Sequence, residues 1–314
     1  MSAGPPSSSP WLADEVLPQW LEWQRQGLRP LLATLVRIEG SSPRPLGAQM
    51  AIVDEQRWAG FLSGGCVEAA IITEALAVRS AGGNRLQRYG HGSPYVDLQL
   101  PCGSAIEVYF DQAFPAELAA AVVEAGRQRL AQQVLIDYQQ HRSTLASADA
   151  EAAPGVLLRM YRPPLRLHIV GLGPTAGMLA ELASHSGLEV IVHTPDQATA
   201  ELLAGVAQVN LLNSAQQPLD AVLDRYSALV TLYHEHAWEM SALKMALSSE
   251  AGYIGALGSR RTHQQRLDQL QQEGFSAEQC QQIHGPAGLF HSARQPTSIA
   301  ISILAEIFCR YNRL

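Results

Sequence analysis

The second half of the sequence alternates short apolar runs with helical stretches, and this alternation restricts the fold more than any other feature. Buried strands are predicted at Leu167–Val170, Val190–His193, Ala228–Tyr233 and Tyr253–Leu257, with helical segments between them. Parallel strands need a long crossover connection, which is usually a helix. Repeated strand–helix units therefore predict a parallel sheet with helices on both faces over residues 164–314.

A glycine loop follows the first of these strands, with the pattern G-x-G-x-x-A over Gly171–Ala176. Gly171 permits a tight turn, and Gly173 lets the backbone approach a phosphate. The N-terminus of the next helix supplies N–H groups and a positive dipole. A strand, a glycine loop and a helix in this order predict a Rossmann-like domain, with Gly171 and Gly173 as candidate cofactor-binding residues.

The second half of this dinucleotide fingerprint is altered. The acidic residue that would hold a ribose should end the second strand, where the chain has His193-Thr194-Pro195-Asp196. Asp196 lies beyond a proline and is expected to turn away, and Pro174 removes one N–H from the loop. NAD is therefore not an expected ligand, whereas a phosphate or pyrophosphate group stays open.

Two further pairs of residues in this half are candidates for ligand contacts. Arg260 and Arg261 follow a strand end, where ligand crevices lie in open α/β sheets. They suit a phosphate clamp or, equally, a solvated helix start with an ordinary salt bridge. His234 and His236 have a spacing that could bind a metal if the segment is extended. Without an identifiable third ligand, hydrogen-bonded loop histidines are the favoured interpretation.

The first half of the chain has a different pattern. Residues 11–112 are predicted to form a β-rich α+β domain, with helices at 11–26 and 66–79 and strands at 30–38, 48–53, 58–62, 85–89, 96–100 and 105–110. Residues 113–163 are predicted to connect the domains through an alanine-rich helix and a hairpin of 134–138 with 156–161, around a polar loop at 141–154. The stiff segment Arg162-Pro163-Pro164 marks the boundary. The expected fold class is therefore α/β, in which a β-rich α+β domain precedes a Rossmann-like parallel-sheet domain.

The sequence contains four cysteines, Cys66, Cys102, Cys280 and Cys309. They form no C-x-x-C pair, so neither a zinc knuckle nor a disulfide framework is indicated. Cys66 follows Gly64 and Gly65 at a predicted helix start, where a thiol pKa is lowered. Cys102 lies in a Pro-Cys-Gly-Ser bend. A thiolate can bind a soft metal or carry persulfide sulfur, and the alternative is a small buried side chain. Their glycine-flanked loops favour a functional role for Cys66 and Cys102; none is assigned to the other two.

The overall charge and hydropathy exclude some functions. The formal net charge is −7, which does not suit a nucleic-acid binder, and no apolar run reaches the length of a membrane span. The first ten residues are rich in proline and serine and contain no lysine or arginine. They are predicted to form a short tail and not a signal peptide, which favours a cytoplasmic location.

Taken together, these segments resemble the XdhC/CoxI family of accessory proteins for molybdenum hydroxylases. The N-terminal likeness is carried by Gly40–Met50, Ser63–Glu68, Cys102–Gly103 and Ile106–Val108. The C-terminal likeness is carried by the glycine loop and by His234–His236, Tyr253–Gly255, Gly258–Arg261, Ile283–Pro286, Pro296 and Ile303–Ile307. Thr194–Asp196 and Leu289–Ala293 depart from the family pattern. Glu68 belongs to the likeness, but from its position it is interpreted as a first-turn helix residue and not as a catalytic acid.

The resemblance implies a homodimeric chaperone that binds molybdenum cofactor, as molybdopterin or its cytosine dinucleotide. It implies delivery of the sulfurated cofactor to a molybdenum hydroxylase such as xanthine dehydrogenase or aldehyde oxidoreductase. The implied partners are the large subunit of that enzyme, a cysteine desulfurase and a cofactor cytidylyltransferase. The candidate cofactor-binding residues are Ser42, Arg44, Gly64, Gly65, Cys66, Cys102, Gly171, Gly173, Arg260 and Arg261, with Cys66 also a candidate contact to molybdenum or sulfur.

No acid–base pair, nucleophile triad or closed metal site is evident from the sequence, so an accessory protein is favoured over an enzyme. Two alternatives stay open. One is an NAD(P)-dependent oxidoreductase that uses the glycine loop, and the other is an assembly factor that binds only protein.

Overall fold

The computed structural model describes residues 15–65, 67–93, 104–147, 149–233, 236–290 and 293–311. Internal contacts divide the chain into two compact units, of which one ends at Pro163 and the other begins at Pro164. Each is treated separately below, as the N-terminal and the C-terminal unit. None of the helices in the described ranges is both long and apolar enough to cross a membrane.

The N-terminal unit is built on a five-stranded antiparallel sheet of order β3-β2-β1-β5-β4. Its elements are α1 (Leu17–Arg25), β1 (Leu31–Glu39), β2 (Gln49–Ile52), β3 (Trp58–Gly60), α2 (Glu68–Ala81), β4 (Arg85–Gly90) and β5 (Ala105–Asp111). The predicted strand at 96–100 lies outside the described residues. Side chains alternate between faces along β1, so that Leu31 and Leu35 pack in the α2 core. Leu32 and Val36 pack in the core that contains α1. Burial on both faces explains why β1 is an almost continuous apolar run.

A second, three-stranded sheet of order β7-β6-β8 follows in the same unit. Its elements are α3 (Ala116–Arg127), β6 (Gln132–Asp137), β7 (Arg142–Leu145) and β8 (Val156–Tyr161). The predicted pairing of 134–138 with 156–161 is present, but the predicted polar loop contains β7, so that expectation was wrong in part. The polar sequence of β7 forms a strand because the buried Ser143 donates a 3.0 Å hydrogen bond to the Asp111 carboxylate.

The C-terminal unit is a six-stranded parallel sheet of order β11-β10-β9-β12-β13-β14. Its elements are β9 (Arg166–Gly171), α4 (Gly173–His185), β10 (Glu189–Thr194), α5 (Gln197–Leu203), β11 (Gln208–Leu211), β12 (Ser227–Leu232), α6 (His236–Leu247), β13 (Tyr253–Ala256), α7 (Arg260–Gln272), α8 (Ala277–Cys280), β14 (Ile283–His284) and α9 (Pro296–Tyr311). This strand order is that of a Rossmann fold, with the topological switch point between β9 and β12. The predicted fold class is confirmed.

The two faces of the parallel sheet carry separate cores. Residues of α4 and α9 pack against one face, and residues of α6 and α7 pack against the other. Cys280 is buried in the second core, where burial raises the pKa of its thiol, and Cys309 is an exposed free thiol on α9. Neither has the setting of a reactive cysteine. His236 begins α6, which corrects the expectation that it lies on an extended segment, and His234 is outside the described residues.

Candidate functional site

The N-terminal motif loops share one end of the five-stranded sheet. Antiparallel pairing sets Glu39 at the end of β1 beside Ala105 at the start of β5. The same end contains the start of β2 and the end of β3. The β1–β2 loop, the β3–α2 segment and the chain leading into β5 therefore meet here. They contain Ser42, Arg44, Gly64 and Gly65. The sequence neighbours of Cys66 and Cys102 belong to these segments, although both cysteines themselves lie outside the described residues.

Direct contacts join these loops. The guanidinium carbon of Arg44 lies 4.1 Å from the centroid of the Phe61 ring, a cation–π contact with the segment that leads to Gly64 and Gly65. The Ser42 hydroxyl accepts a 3.2 Å hydrogen bond from the Arg44 N–H. Gly40, with φ +84°, packs so closely on Ser104 that a β-carbon on it would lie 3.1 Å from that of Ser104. We call these joined segments the loop site, defined by residues 40–47, 61–68 and 104.

Glu68 fixes the shape of the glycine turn in the loop site. Its Oε1 accepts backbone N–H bonds from Leu62 at 3.2 Å and from Ser63 at 2.7 Å, and its Oε2 accepts the Ser63 hydroxyl at 2.6 Å. Glu68 is 8% exposed, so these bonds are shielded from water. It lies in the first turn of α2, as interpreted from the sequence, but its side chain holds the preceding turn.

The glycine turn presents open backbone. Gly64 and Gly65 are exposed, and a β-carbon on either would meet no atom within 4 Å. Gly65 has φ +101°, a conformation that L side chains rarely adopt. The surface of the turn therefore has room for a ligand to approach the main chain.

A buried arginine supports the β1–β2 loop from the second sheet. The Nε of Arg159, on β8, donates to the Gly47 carbonyl at 2.6 Å, and its Nη1 donates to Gln49 at 2.6 Å. Its other contacts are an ion pair with Glu15 at 3.1 Å and a stack on Tyr161 at 4.0 Å. Sequence reasoning missed this network. The signal was a polar residue inside each of two otherwise apolar strands, β2 and β8.

The glycine loop of the C-terminal unit has the geometry of its fold. A β-carbon on Gly171 would lie 2.8 Å from that of Leu232, so the close approach of β9 and β12 requires glycine there. Gly173 has φ +75°. The Gly173 N–H, however, donates a 3.1 Å hydrogen bond to the hydroxyl of Thr199 on α5. A side chain of the same unit thus occupies the donor that would otherwise face a phosphate.

Asp196 is also engaged within this unit. Its carboxylate caps α5 by accepting the Thr199 N–H at 2.8 Å, and it accepts the Thr199 hydroxyl at 2.5 Å. These hydrogen bonds lower the pKa of Asp196. Because Pro174 has no N–H, the first two residues of α4 offer no donor to a ligand. This geometry supports the expectation that NAD is not a ligand.

Arg260 and Arg261 are the first two residues of α7 and are exposed. Ser259 caps this helix by accepting the Thr262 N–H at 3.0 Å. Within the described ranges neither arginine forms a salt bridge, which differs from the solvated helix start with an ordinary salt bridge considered from the sequence. The predicted residues therefore fall into two sets. Ser42, Arg44, Gly64 and Gly65 lie in the N-terminal unit, and Gly171, Gly173, Arg260 and Arg261 lie in the C-terminal unit.

A hydrogen-bonded cluster around Glu306 was not predicted. Glu306, on α9, pairs with His284 at 3.1 Å and accepts the Tyr253 hydroxyl at 2.7 Å and the Gly288 N–H at 2.7 Å. Burial acts to raise the pKa of Glu306, but these hydrogen bonds outweigh it and lower the pKa to about 2. Burial and the Glu306 charge raise the pKa of Tyr253. The cluster ties β13, β14 and α9 together. Among the residues that the structure describes, no group of three or more His, Cys, Asp or Glu side chains could hold a metal ion.

Comparison with known proteins adds to this geometry. A model of the XdhC and CoxI family matches residues 23–90, and a model of the XdhC Rossmann domain matches residues 167–307. The chain is 36% identical to the molybdenum cofactor insertion chaperone PaoD of Escherichia coli (strain K12), over 90% of this chain and 83% of that protein. The chain belongs to the XdhC and CoxI family. The family resemblance inferred from the sequence is confirmed, and so is the expectation of an accessory protein in place of an enzyme.

Another relative and a solved structure agree. A Bacillus subtilis (strain 168) protein, named as one of the probable subunits of xanthine dehydrogenase, is 25% identical over 88% of this chain and 92% of its own length. A crystal structure of a Bacillus halodurans protein described as a xanthine dehydrogenase has a TM-score of 0.76 at 21% identity and covers 95% of this chain and 96% of its own, which supports the fold alone. The family-wide segment 23–90 contains the β1–β2 loop and the glycine turn, so the family match includes most of the loop site.

Proposed function

We propose that this protein is a molybdenum cofactor maturation chaperone that holds its cargo at the loop site. The observation that carries the proposal is the meeting of Arg44, Phe61 and the open Gly64–Gly65 turn at one end of one sheet. The insertion chaperone PaoD, to which the chain is 36% identical, supports this cargo.

The chemistry of the loop site suits the chemistry of the cargo. Molybdenum cofactor combines a phosphate, a planar pterin and a soft metal–dithiolene group. The Arg44 guanidinium, held on the Phe61 ring, provides forked N–H donors for a phosphate. The Gly64–Gly65 turn provides backbone that a flat ring can approach. We assign Cys66 a contact with molybdenum or with the transferred sulfur, because a thiolate is a soft ligand.

The finer parts of the function are also proposals. We expect the cofactor to be delivered in sulfurated form to the large subunit of a molybdenum hydroxylase, with a cysteine desulfurase and a cytidylyltransferase as further partners. We expect a homodimer in solution and a cytoplasmic location. Delivery requires preference for the unloaded enzyme, because a chaperone that binds loaded and unloaded target equally gains no release from transfer. Pull-downs with both forms of the target test this, and equal capture would contradict it.

Cargo binding is tested by measuring pterin that co-purifies from a cofactor-producing host, after oxidation to its fluorescent form with acid and iodine. The wild-type protein should release clearly more pterin than an unrelated control protein. Arg44→Gln and Phe61→Leu should reduce the release several-fold, whereas Arg142→Gln, at an exposed arginine of β7, should not. Release at the level of the unrelated protein would contradict the proposal.

The role of Cys66 needs its own variant. Cys66→Ser should leave the unfolding temperature unchanged and lower the activity of the matured target enzyme. Normal maturation by Cys66→Ser would leave Cys66 as a structural thiol.

A further inference from the structure

A groove lies at the opposite end of the five-stranded sheet from the loop site. It has a volume of about 510 Å³ and is lined by the α1–β1 turn, the β2–β3 turn and the end of α2. Three arginines line it, Arg29, Arg57 and Arg79, against one acidic side chain, Asp54. This concentration of positive charge contrasts with the net charge of −7 for the whole chain.

Two of the three guanidinium groups are held in place by the unit itself. Arg79 donates from Nη1 to the Val53 carbonyl at 2.5 Å and to the Arg29 carbonyl at 3.4 Å. Arg57 pairs with Asp54 through Nε at 2.8 Å and through Nη2 at 2.5 Å. Neither group uses all of its five donors in these bonds. Both are therefore fixed in position with hydrogen-bonding capacity left for a ligand.

The third arginine is uncommitted. Arg29 is exposed, and within the described part of the chain its side chain forms no ion pair or hydrogen bond. Leu28 and Val53 give the groove an apolar component. Forked guanidinium groups bind carboxylates in bidentate geometry, and an open groove with apolar and basic parts suits an extended peptide better than a small ligand, which an enclosed pocket would surround.

We propose that this groove is a docking surface for an acidic segment of a partner protein. The nine-residue strand β1 runs from the groove to the loop site, a separation of roughly 30 Å at the rise of a strand. A partner segment in the groove and a ligand at the loop site therefore do not compete for space. The surface goes beyond the proposed function, because it assigns partner recognition to a place separate from the cargo.

Binding is measured with the full chain and a fluorescein-labelled octaglutamate peptide, by fluorescence anisotropy at low ionic strength. An octaglutamine peptide serves as the uncharged reference. The octaglutamate peptide should bind, and Arg29→Glu should weaken binding by about tenfold because it reverses one charge facing the ligand. Arg57→Gln, which leaves Asp54 unpaired in the groove, should also weaken it. Arg127→Glu makes the same change in net charge at an exposed position of α3 outside the groove and should have little effect.

The outcomes separate this proposal from its alternatives. Equal loss of binding in Arg29→Glu and Arg127→Glu would mean bulk charge attraction and would overturn the proposal, as would unchanged binding in Arg29→Glu. Displacement of the peptide by inorganic phosphate, at ionic strength held constant with chloride, would overturn it in favour of a small-anion site. Pterin co-purification with Arg29→Glu should equal that of the wild type, so failure here and failure of the cargo proposal are distinguishable.

Discussion

Replacing Glu306 by glutamine should destabilise the protein in a manner that depends on pH. Glutamine has nearly the same volume, so the change removes a charge without opening a cavity. The pKa of Glu306 is lowered from 4.5 to about 2 by its hydrogen bonds to His284, Tyr253 and the Gly288 N–H, against the opposing effect of burial. The side chain is 15% exposed, so solvent screens these contacts little.

The size of the effect follows from linkage between protonation and folding. A carboxyl whose pKa falls from 4.5 to about 2 on folding contributes about 3 kcal/mol to the free energy of unfolding once it is ionised in both states. Because the folded pKa is the lower one, this contribution is complete above pH 4.5 and is lost as the pH falls through about 2.

Urea unfolding of the wild type and of Glu306→Gln, repeated from pH 7 towards pH 3, measures this contribution. The difference in unfolding free energy should approach about 3 kcal/mol at pH 7 and shrink as the pH falls below about 4.5. Glu250→Gln, at an exposed position after α6, should show a difference near zero throughout. A difference for Glu306→Gln that does not change with pH would refute the electrostatic argument and leave only a packing effect.

Three further predictions concern the network below the β1–β2 loop, the glycine turn and the glycine loop. Arg159→Met should lower the unfolding free energy by about 2–3 kcal/mol, because Gln49 and the Gly47 carbonyl lose a buried donor; an unchanged urea midpoint would contradict this. Glu68→Ala should cost about 2 kcal/mol and reduce co-purified pterin, whereas Glu117→Ala, in the first turn of α3, should do neither; pterin retained in full would remove Glu68 from any role at the loop site. NAD and NADP should not shift the unfolding temperature of the wild type, and micromolar binding by calorimetry that Gly173→Val abolishes would show that the glycine loop is open to a dinucleotide.

The fold could be predicted where local pattern and global fold agree. Buried parallel strands such as Ala228–Tyr233 are apolar runs, and helices separate them, so period and composition indicate the sheet. Strand β7 was missed because its sequence is polar. Its burial depends on Ser143 meeting Asp111, which lies 32 residues earlier in the chain.

The candidate site shows the same division. Arg44, Gly64 and Gly65 stand out in sequence because loop motifs carry them. The bond from Arg159 to Gly47 joins residues 112 positions apart, and nothing in either local sequence specifies the other. The contact of Arg44 with Phe61 likewise requires that the β1–β2 loop and the end of β3 lie together, which only the strand register determines.

The bond from Gly173 to the Thr199 hydroxyl also bears on when the C-terminal unit can fold. Dinucleotide-binding proteins gain stability from their ligand in proportion to the logarithm of its concentration, so their folded fraction follows the nucleotide supply of the cell. In this unit a threonine and an aspartate of the same chain already satisfy the loop donor. The unit can therefore fold as it leaves the ribosome without waiting for a ligand, and its abundance should not vary with the redox or energy state of the cell.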